Sequence, residues 1–159
     1  MKNIKYRKSV KNDVSEINNL FIEMVKHVNN KMIDNGITPY EQLENGYEDG
    51  YLDKFYVDDN NVIFVAEHNN NIIGFISLCL YKEESYVYVD DYCVKEEYRG
   101  YGIGSKLMEM AVIYAKEKEI RLILTHVEST NKDAIDFYFN KSFELQEKQD
   151  NRLLIKKSL

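Results

Sequence analysis

Three glycines at alternate positions, Gly100, Gly102 and Gly104, separate a strand-like run from a helix-like run in the stretch YVDDYCVKEEYRGYGIGSKLM, residues 88–108. Glycine weakens a helix, so three of them at a helix start imply that something must approach the backbone closely there. A phosphate is the expected visitor, because the free N–H groups and dipole of a helix N-terminus form an anion site. Two familiar phosphate cradles do not fit. A P-loop needs G-x-x-x-x-G-K-[ST], and here the order is Gly104-Ser105-Lys106. A dinucleotide fingerprint needs G-x-G-x-x-G, and the third glycine comes one residue early. What remains is Arg99-Gly100-Tyr101-Gly102-Ile103-Gly104, of the form [QR]-x-x-G-x-[GA].

The flanking periodicity supplies the frame. IKYRKSV (4–10) reads as a short strand. KNDVSEINNLFIEMVKHV (11–28) is an amphipathic helix with Val14, Ile17, Leu20, Phe21, Met24, Val25 and Val28 on one stripe and Asn12 or Asp13 as its cap. Residues 35–57 read as a broken, mobile helix-and-loop element with Gly36, Pro39, Gly46 and Gly50. NVIFVAEH and IIGFISLCLY form a hairpin across a run of asparagines, and SYVYVDDYCV is the next strand. A helix over 102–120, a strand over 121–128, a short helix over 131–142 and two closing strands around QDN complete the order βααβββαβαββ. The strands on either side of the 102–120 helix are expected to be parallel within a mixed sheet, in an α/β fold of one domain covering 1–159.

The stretch from Tyr88 to Met108 resembles the acetyl-CoA pyrophosphate loop of the GNAT superfamily of N-acetyltransferases. The element order matches that fold as well, and NKDAIDFYFNKSFEL resembles the family's N-x-x-A-x-x-F-Y-x-x-x-G-F signature, with Ser142 in the place usual for glycine. DDYCVKEEYRGYGIGS is closer still to the polyamine and diamine acetyltransferases of the superfamily. The resemblance implies a transferase that moves an acetyl group from acetyl-CoA to a primary amine by direct attack. It implies cofactor contacts from the backbone of Gly100, Tyr101, Gly102, Ile103, Gly104 and Ser105, with Arg99, and from Asn131 and Tyr138 along the pantetheine arm. A backbone N–H near Cys93 and Val94 would meet the oxyanion, where family members let two strands splay apart.

The chemistry makes two further demands. An alkylamine with a pKa of about 10.4 must lose a proton, and the departing thiolate benefits from gaining one. Tyr138 is the candidate acid; a packed aromatic is the competing reading. Asp90 and Asp91 stand in an apolar strand, where a lone carboxylate is costly. Strict alternation puts Asp90 on one face with Tyr88, Tyr92 and Val94, and Asp91 on the other with Val89 and Cys93. The resemblance to polyamine enzymes favours Asp90 as base and Asp91 as substrate anchor, with a structural role open for either. Cys93 reads as core. His126 and Glu128 share a strand face but lack a third ligand, so no metal site is expected.

The net charge of −6 argues against a nucleic-acid surface. The two cysteines lack CxxC spacing and no apolar run is long enough to span a bilayer, which points to a cytoplasmic protein with reduced thiols. Between 41 and 59 lie Glu41, Glu44, Glu48, Asp49, Asp53, Asp58 and Asp59, interleaved with Tyr47, Tyr51 and Tyr56 just after Tyr40. This run is either an acidic wall for a cationic acceptor (a polyamine, a lysine side chain or an aminoglycoside) or a solvated face. The rival function is an acyl-CoA-binding sensor or regulatory module without turnover. A homodimer is common in the family and is not written in the sequence.

Overall fold

The computed structural model describes residues 3–159, and their order of elements is the one the periodicity predicts. Strand β1 (Lys5–Lys8) leads into α1 (Val14–Asp34), and a region of 3-10 turns ends in the single helical turn α2 (Lys54–Val57). Strands β2 (Asn61–His68), β3 (Asn71–Tyr81) and β4 (Tyr86–Val94) follow. The second half runs α3 (Ile103–Glu117), β5 (Leu122–Glu128), α4 (Lys132–Asn140), β6 (Glu144–Gln149) and β7 (Arg152–Ser158). The seven strands form one sheet in the order β1-β2-β3-β4-β5-β7-β6, antiparallel except where α3 crosses from β4 to β5. Asn69 and Asn70, both at positive φ, make the two-residue β2–β3 turn, the left-handed pair such a hairpin needs. No helix among the described residues is long and apolar enough to cross a membrane.

Two cores sandwich the sheet. Ile73, Ile76, Leu78, Val87 and Val89 pack under Leu107, Met108 and Ala111 of α3. Phe75, Cys79 and Cys93 face Ile17, Leu20, Phe21 and Val25 of α1. Together they bury the alternating strand residues on both faces, the pattern expected where helices cover both sides of a mixed sheet.

Helix α1 departs from its expected form at both ends. It runs on to Asp34, past the end expected at Val28. Asn29 is 1% exposed, and its amide makes two bonds to the backbone of Tyr40: Tyr40 N–H donates to Oδ1 (2.9 Å) and Nδ2 donates to Tyr40 O (3.2 Å). At the other end neither Asn12 nor Asp13 caps the helix with its side chain. The Asp13 carboxylate is occupied by Arg7 (2.7 Å) and by the Val10 N–H (2.8 Å), which anchors the chain between β1 and α1. The region after α1 is likewise pinned. Tyr47 N–H donates to Asn18 Oδ1 (2.8 Å), and Gly46 lies so close to that amide that a Cβ would meet it at 2.5 Å.

Ser142, the departure from the glycine of the motif, takes φ +67 at the turn after α4. The position is left-handed, so the serine holds it at a cost of roughly 1 kcal/mol that glycine would avoid.

Candidate active site

The centre of the site is a gap in the sheet. β4 and β5 pair only at Val87↔Ile123 and Tyr88↔Leu124, and then diverge. Beyond Tyr88 the edge of β4 facing β5 is unpaired. Lys95 N–H donates to Ile73 O (2.8 Å) and Asp91 N–H turns to Ser77 Oγ (2.9 Å), so the odd-numbered residues here face β3. The N–H groups of Tyr92 and Val94 therefore point into the gap. Thr125, buried on β5, spans its narrow end by donating to Val89 O (2.9 Å).

A cavity opens on each side of the gap, of about 370 and 470 Å³. Met24, Val28, Tyr92, Asn131, Ala134 and Tyr138 line both, so the cavities meet at Tyr138. The larger is bounded by Arg99, Gly100, Gly102, Ile103, Gly104 and Ser105, with Cys93 and Val94 from the strand. The smaller is bounded by Asp90, Asp91, Tyr88, His126, Glu128 and Arg152, with Tyr40 and Leu43 from the turn region.

On the larger cavity the glycines serve two purposes. Gly100 and Gly102 take φ +83 and +80, with open space where a Cβ would stand, so the backbone conformation and the empty approach both call for glycine. The first bond of the α3 ladder is Lys106 N–H to Gly102 O (3.0 Å), which leaves the N–H groups of Ile103, Gly104 and Ser105 without a backbone acceptor among the described residues. Arg99 donates from Nε to Val94 O (3.0 Å), which ties the turn to the end of β4. Tyr101 is exposed and its side chain does not line the cavity. Gly104 is different. A Cβ there would meet the Tyr92 hydroxyl at 2.5 Å, so this glycine makes room for a tyrosine, not only for a ligand.

That hydroxyl is buried and finds no hydrogen-bond partner among the described residues. An unsatisfied buried hydroxyl costs about 1–3 kcal/mol. Tyr92→Phe is thus expected to be neutral or to stabilise by about 1 kcal/mol. Gly104→Ala alone is expected to destabilise, yet to be tolerated in the Tyr92→Phe background, where the next ring atom is 3.5 Å away. Denaturant unfolding of the two single variants and the double variant measures this coupling; additive effects contradict it.

Tyr138 is 6% exposed, whereas its neighbour Phe139 is 44% exposed. Its ring meets Phe143 edge-on at 5.1 Å and Tyr92 at 6.1 Å. Burial pushes the phenol above its ordinary range, so it carries its proton throughout neutral pH. Asn131 caps α4 by accepting from Ala134 N–H (3.4 Å) and also lies 3.5 Å from Lys31 Nζ. Cys93 points away from the gap, into the core under α1, with Sγ 3.6 Å from Leu20 O. Burial pushes its thiol up to about 12, which leaves it unreactive.

On the smaller cavity the strict alternation expected for Asp90 and Asp91 fails. Ser77 pairs with Asp91 and Leu78 with Val89, so Asp90 is the extra residue of a β-bulge. The bulge reverses parity along β4. Val87 and Val89 face α3 before it, Tyr92 faces α3 after it, and Asp91 is turned to the α1 side with Cys93. Both carboxylates meet tyrosines from the turn region. Tyr47 donates to Asp91 Oδ2 (2.7 Å) and Tyr51 to Asp90 Oδ2 (2.6 Å). Burial, and then the Asp90 charge, push Asp91 up to about 7, against the Tyr47 hydrogen bond that lowers it.

The acids of 41–59 do not line either cavity; apart from the half-buried Glu44 they are exposed, a solvated face. The anionic lining comes instead from Asp90, Asp91 and Glu128, and Tyr40 donates to Glu128 Oε1 (2.9 Å). His126 also lines this cavity, hydrogen-bonded to Tyr88 (2.6 Å) and Gln149 (2.8 Å), and burial pushes its pKa down. Sequence reasoning missed Met24 and Val28, read as core, and Tyr92. The signal for Met24 and Val28 is the width of the α1 stripe, which is broader than one buried face needs.

The model of the acetyltransferase (GNAT) family matches residues 30–143. An uncharacterised N-acetyltransferase of Methanocaldococcus jannaschii is 31% identical over 94 residues, which are 56% of this chain and 42% of that protein. Streptothricin acetyltransferase A of Bacillus subtilis is 30% identical over 98 residues, 61% of this chain and 56% of that protein. The chain thus spans about half the length of these two curated relatives. In fold it is similar to the PaiA N-acetyltransferase of Thermoplasma acidophilum, solved in complex with coenzyme A. There the TM-score is 0.81 at 20% identity, over 99% of both chains.

Proposed function

The chain belongs to the acetyltransferase (GNAT) family, and on that premise we propose that it transfers the acetyl group of acetyl-CoA to a primary amine across the β4–β5 gap. The observation that carries this reading is the meeting of two cavities at Tyr138, one edged by free backbone donors and the other by carboxylates. The residues of the larger cavity fit the cofactor. Its pyrophosphate would take the free N–H groups at the start of α3, with the guanidinium of Arg99 alongside, and its arm would run along the open edge of β4 past Asn131. Acetyl-CoA supplies an activated thioester; the protein's own groups do the rest. The N–H of Val94 is aimed at the developing oxyanion, and Tyr138 is the proton donor to the departing sulfur.

The smaller cavity takes the acceptor. Three carboxylates against the single guanidinium of Arg152 favour an acceptor that is cationic before it reacts. Asp90 and Asp91 act as a pair there, one receiving the amine's proton and the other holding its charge. A polyamine, a lysine side chain and an aminoglycoside all satisfy that description. A pure acyl-CoA sensor has no use for an ionisable pair at the gap, and this disfavours the binding-only reading.

Thiol release from acetyl-CoA with a panel of polyamines, lysine peptides and aminoglycosides tests the proposal. Amine-dependent release with one class of acceptor supports it and names the substrate. Tight acetyl-CoA binding with no release on any amine supports the sensor instead.

A further inference from the structure

The turn region between α1 and α2 supplies more than a wall to the acceptor cavity. Tyr47 and Tyr51 stack face to face, with centroids 5.2 Å apart and planes within 5°, and Tyr47 stacks in turn on Phe21 of α1 at 3.9 Å. The Tyr47 backbone is fixed as well, through its N–H to Asn18. The stack thus presents two hydroxyls in register with two adjacent carboxylates, each donating to one Oδ2. Adjacent strand residues normally point to opposite faces; the bulge at Asp90 turns both acids to the same side, and Ser77 locks it through the Asp91 N–H. Asp91 Oδ1 keeps no hydrogen-bond partner among the described residues, and Asp91 lines the cavity.

We propose that Tyr47 is a positioning residue for catalysis: by holding Asp91 Oδ2 it fixes Asp91 as the proton acceptor, with Oδ1 turned to the amine, while Tyr51 holds Asp90 as partner of the cation. This rests on the amine-transfer reading above and divides the labour of the acid pair the opposite way from the sequence. The proton leaves the ammonium nitrogen for Asp91 Oδ1, and the nitrogen keeps the electron pair that attacks. Tyr47 stays protonated, since burial and the Asp91 charge raise its pKa far above neutrality. The charged or titratable groups around Asp91 are Asp90 on its own strand, Tyr47 and Tyr51 in the turn region and Lys54 of α2. Cys79, Cys93 and the Tyr138 phenol are also near, and all three are held neutral by burial. Of these only Tyr47 donates a hydrogen bond to the carboxylate of Asp91.

A donor withdrawn from a carboxylate raises its pKa by roughly one to two pH units. Tyr47→Phe keeps the aromatic stack and removes only that donor. Carboxyl 13C NMR of aspartate-labelled protein follows Asp91, assigned by its absence in Asp91→Asn. The pH profile of thiol release is recorded beside it, with spermidine as the probe amine. In the wild type both midpoints are expected near pH 7; in Tyr47→Phe both move to higher pH together, and the rate recovers as pH rises. Tyr51→Phe is expected to raise KM for spermidine several-fold while leaving the rate midpoint within a few tenths of a unit. A rate loss in Tyr47→Phe that is the same at every pH, or a midpoint that does not move, overturns the inference and leaves amine transfer standing. Asp91→Asn that transfers as fast as the wild type overturns the acid-pair reading itself, and the inference with it.

Discussion

Asp91→Asn is expected to lower kcat/KM for the amine by about 10²–10⁴ at neutral pH, the range that positioned proton transfer supplies. The amide is nearly isosteric with the carboxylate and still accepts from Tyr47, so the fold should be retained and acetyl-CoA affinity should stay within about twofold. The sign of the pH dependence follows from the environment. Burial and the neighbouring Asp90 raise Asp91 to about 7, so the wild-type base is protonated and idle below that pH and active above it. The acid limb should therefore fall tenfold per pH unit below about 7 in the wild type, and should vanish in the variant. A limb that persists in Asp91→Asn with its midpoint unchanged assigns the proton to another group.

Tyr138→Phe is the second large effect, a loss of about 10²-fold in kcat with little change in KM for either substrate. The phenol is buried where the two cavities meet, and it holds its proton throughout the assay range. Its removal deprives the leaving thiolate of a proton and leaves the packing against Phe143 and Tyr92 intact. The deficit should shrink for an acetyl thioester whose thiol is more acidic, because such a leaving group needs the acid less. Rates with the two thioesters distinguish an acid from an aromatic that only packs, for which the deficit is the same with both.

The order of elements, the parallel crossing at α3 and the glycine turn were legible because each rests on local periodicity or on residues adjacent in sequence. So was Tyr138: among Phe137, Tyr138 and Phe139 only one carries a hydroxyl, and it is the buried one. The acid pair was legible as two carboxylates in an apolar strand and not as geometry. Its orientation depends on a bulge, whose register is fixed by Ser77 on the neighbouring strand, 14 residues away. Gly104 was read as clearing space for a phosphate, yet it also clears space for Tyr92, a contact between a strand and a helix that no spacing rule contains. The acidic run of 41–59 stayed open between an acceptor wall and a solvated face, because charge density does not say which way side chains point. Tyr47 and Tyr51 within it, and Tyr40 just before it, reach the site, while nearly all its acids face solvent. Asn18 and Asn29, two polar residues of the amphipathic α1, are what hold that region in place.

Everything proposed for the gap depends on the turn from Arg99 to Ser105 binding the pyrophosphate that brings the acetyl group there. Calorimetric titration of acetyl-CoA into the wild type, Gly102→Asn and Gly102→Glu tests this. Asparagine tolerates the left-handed φ of +80 and adds no charge, so it reports the backbone alone. Glutamate adds a carboxylate where the phosphates would lie. Saturable binding by the wild type is expected, with at most a modest loss in Gly102→Asn, a loss of at least about 100-fold in Gly102→Glu and the folded state retained in all three. Equal affinity of Gly102→Glu and the wild type contradicts it, because the glycine turn then cannot be where the phosphates bind.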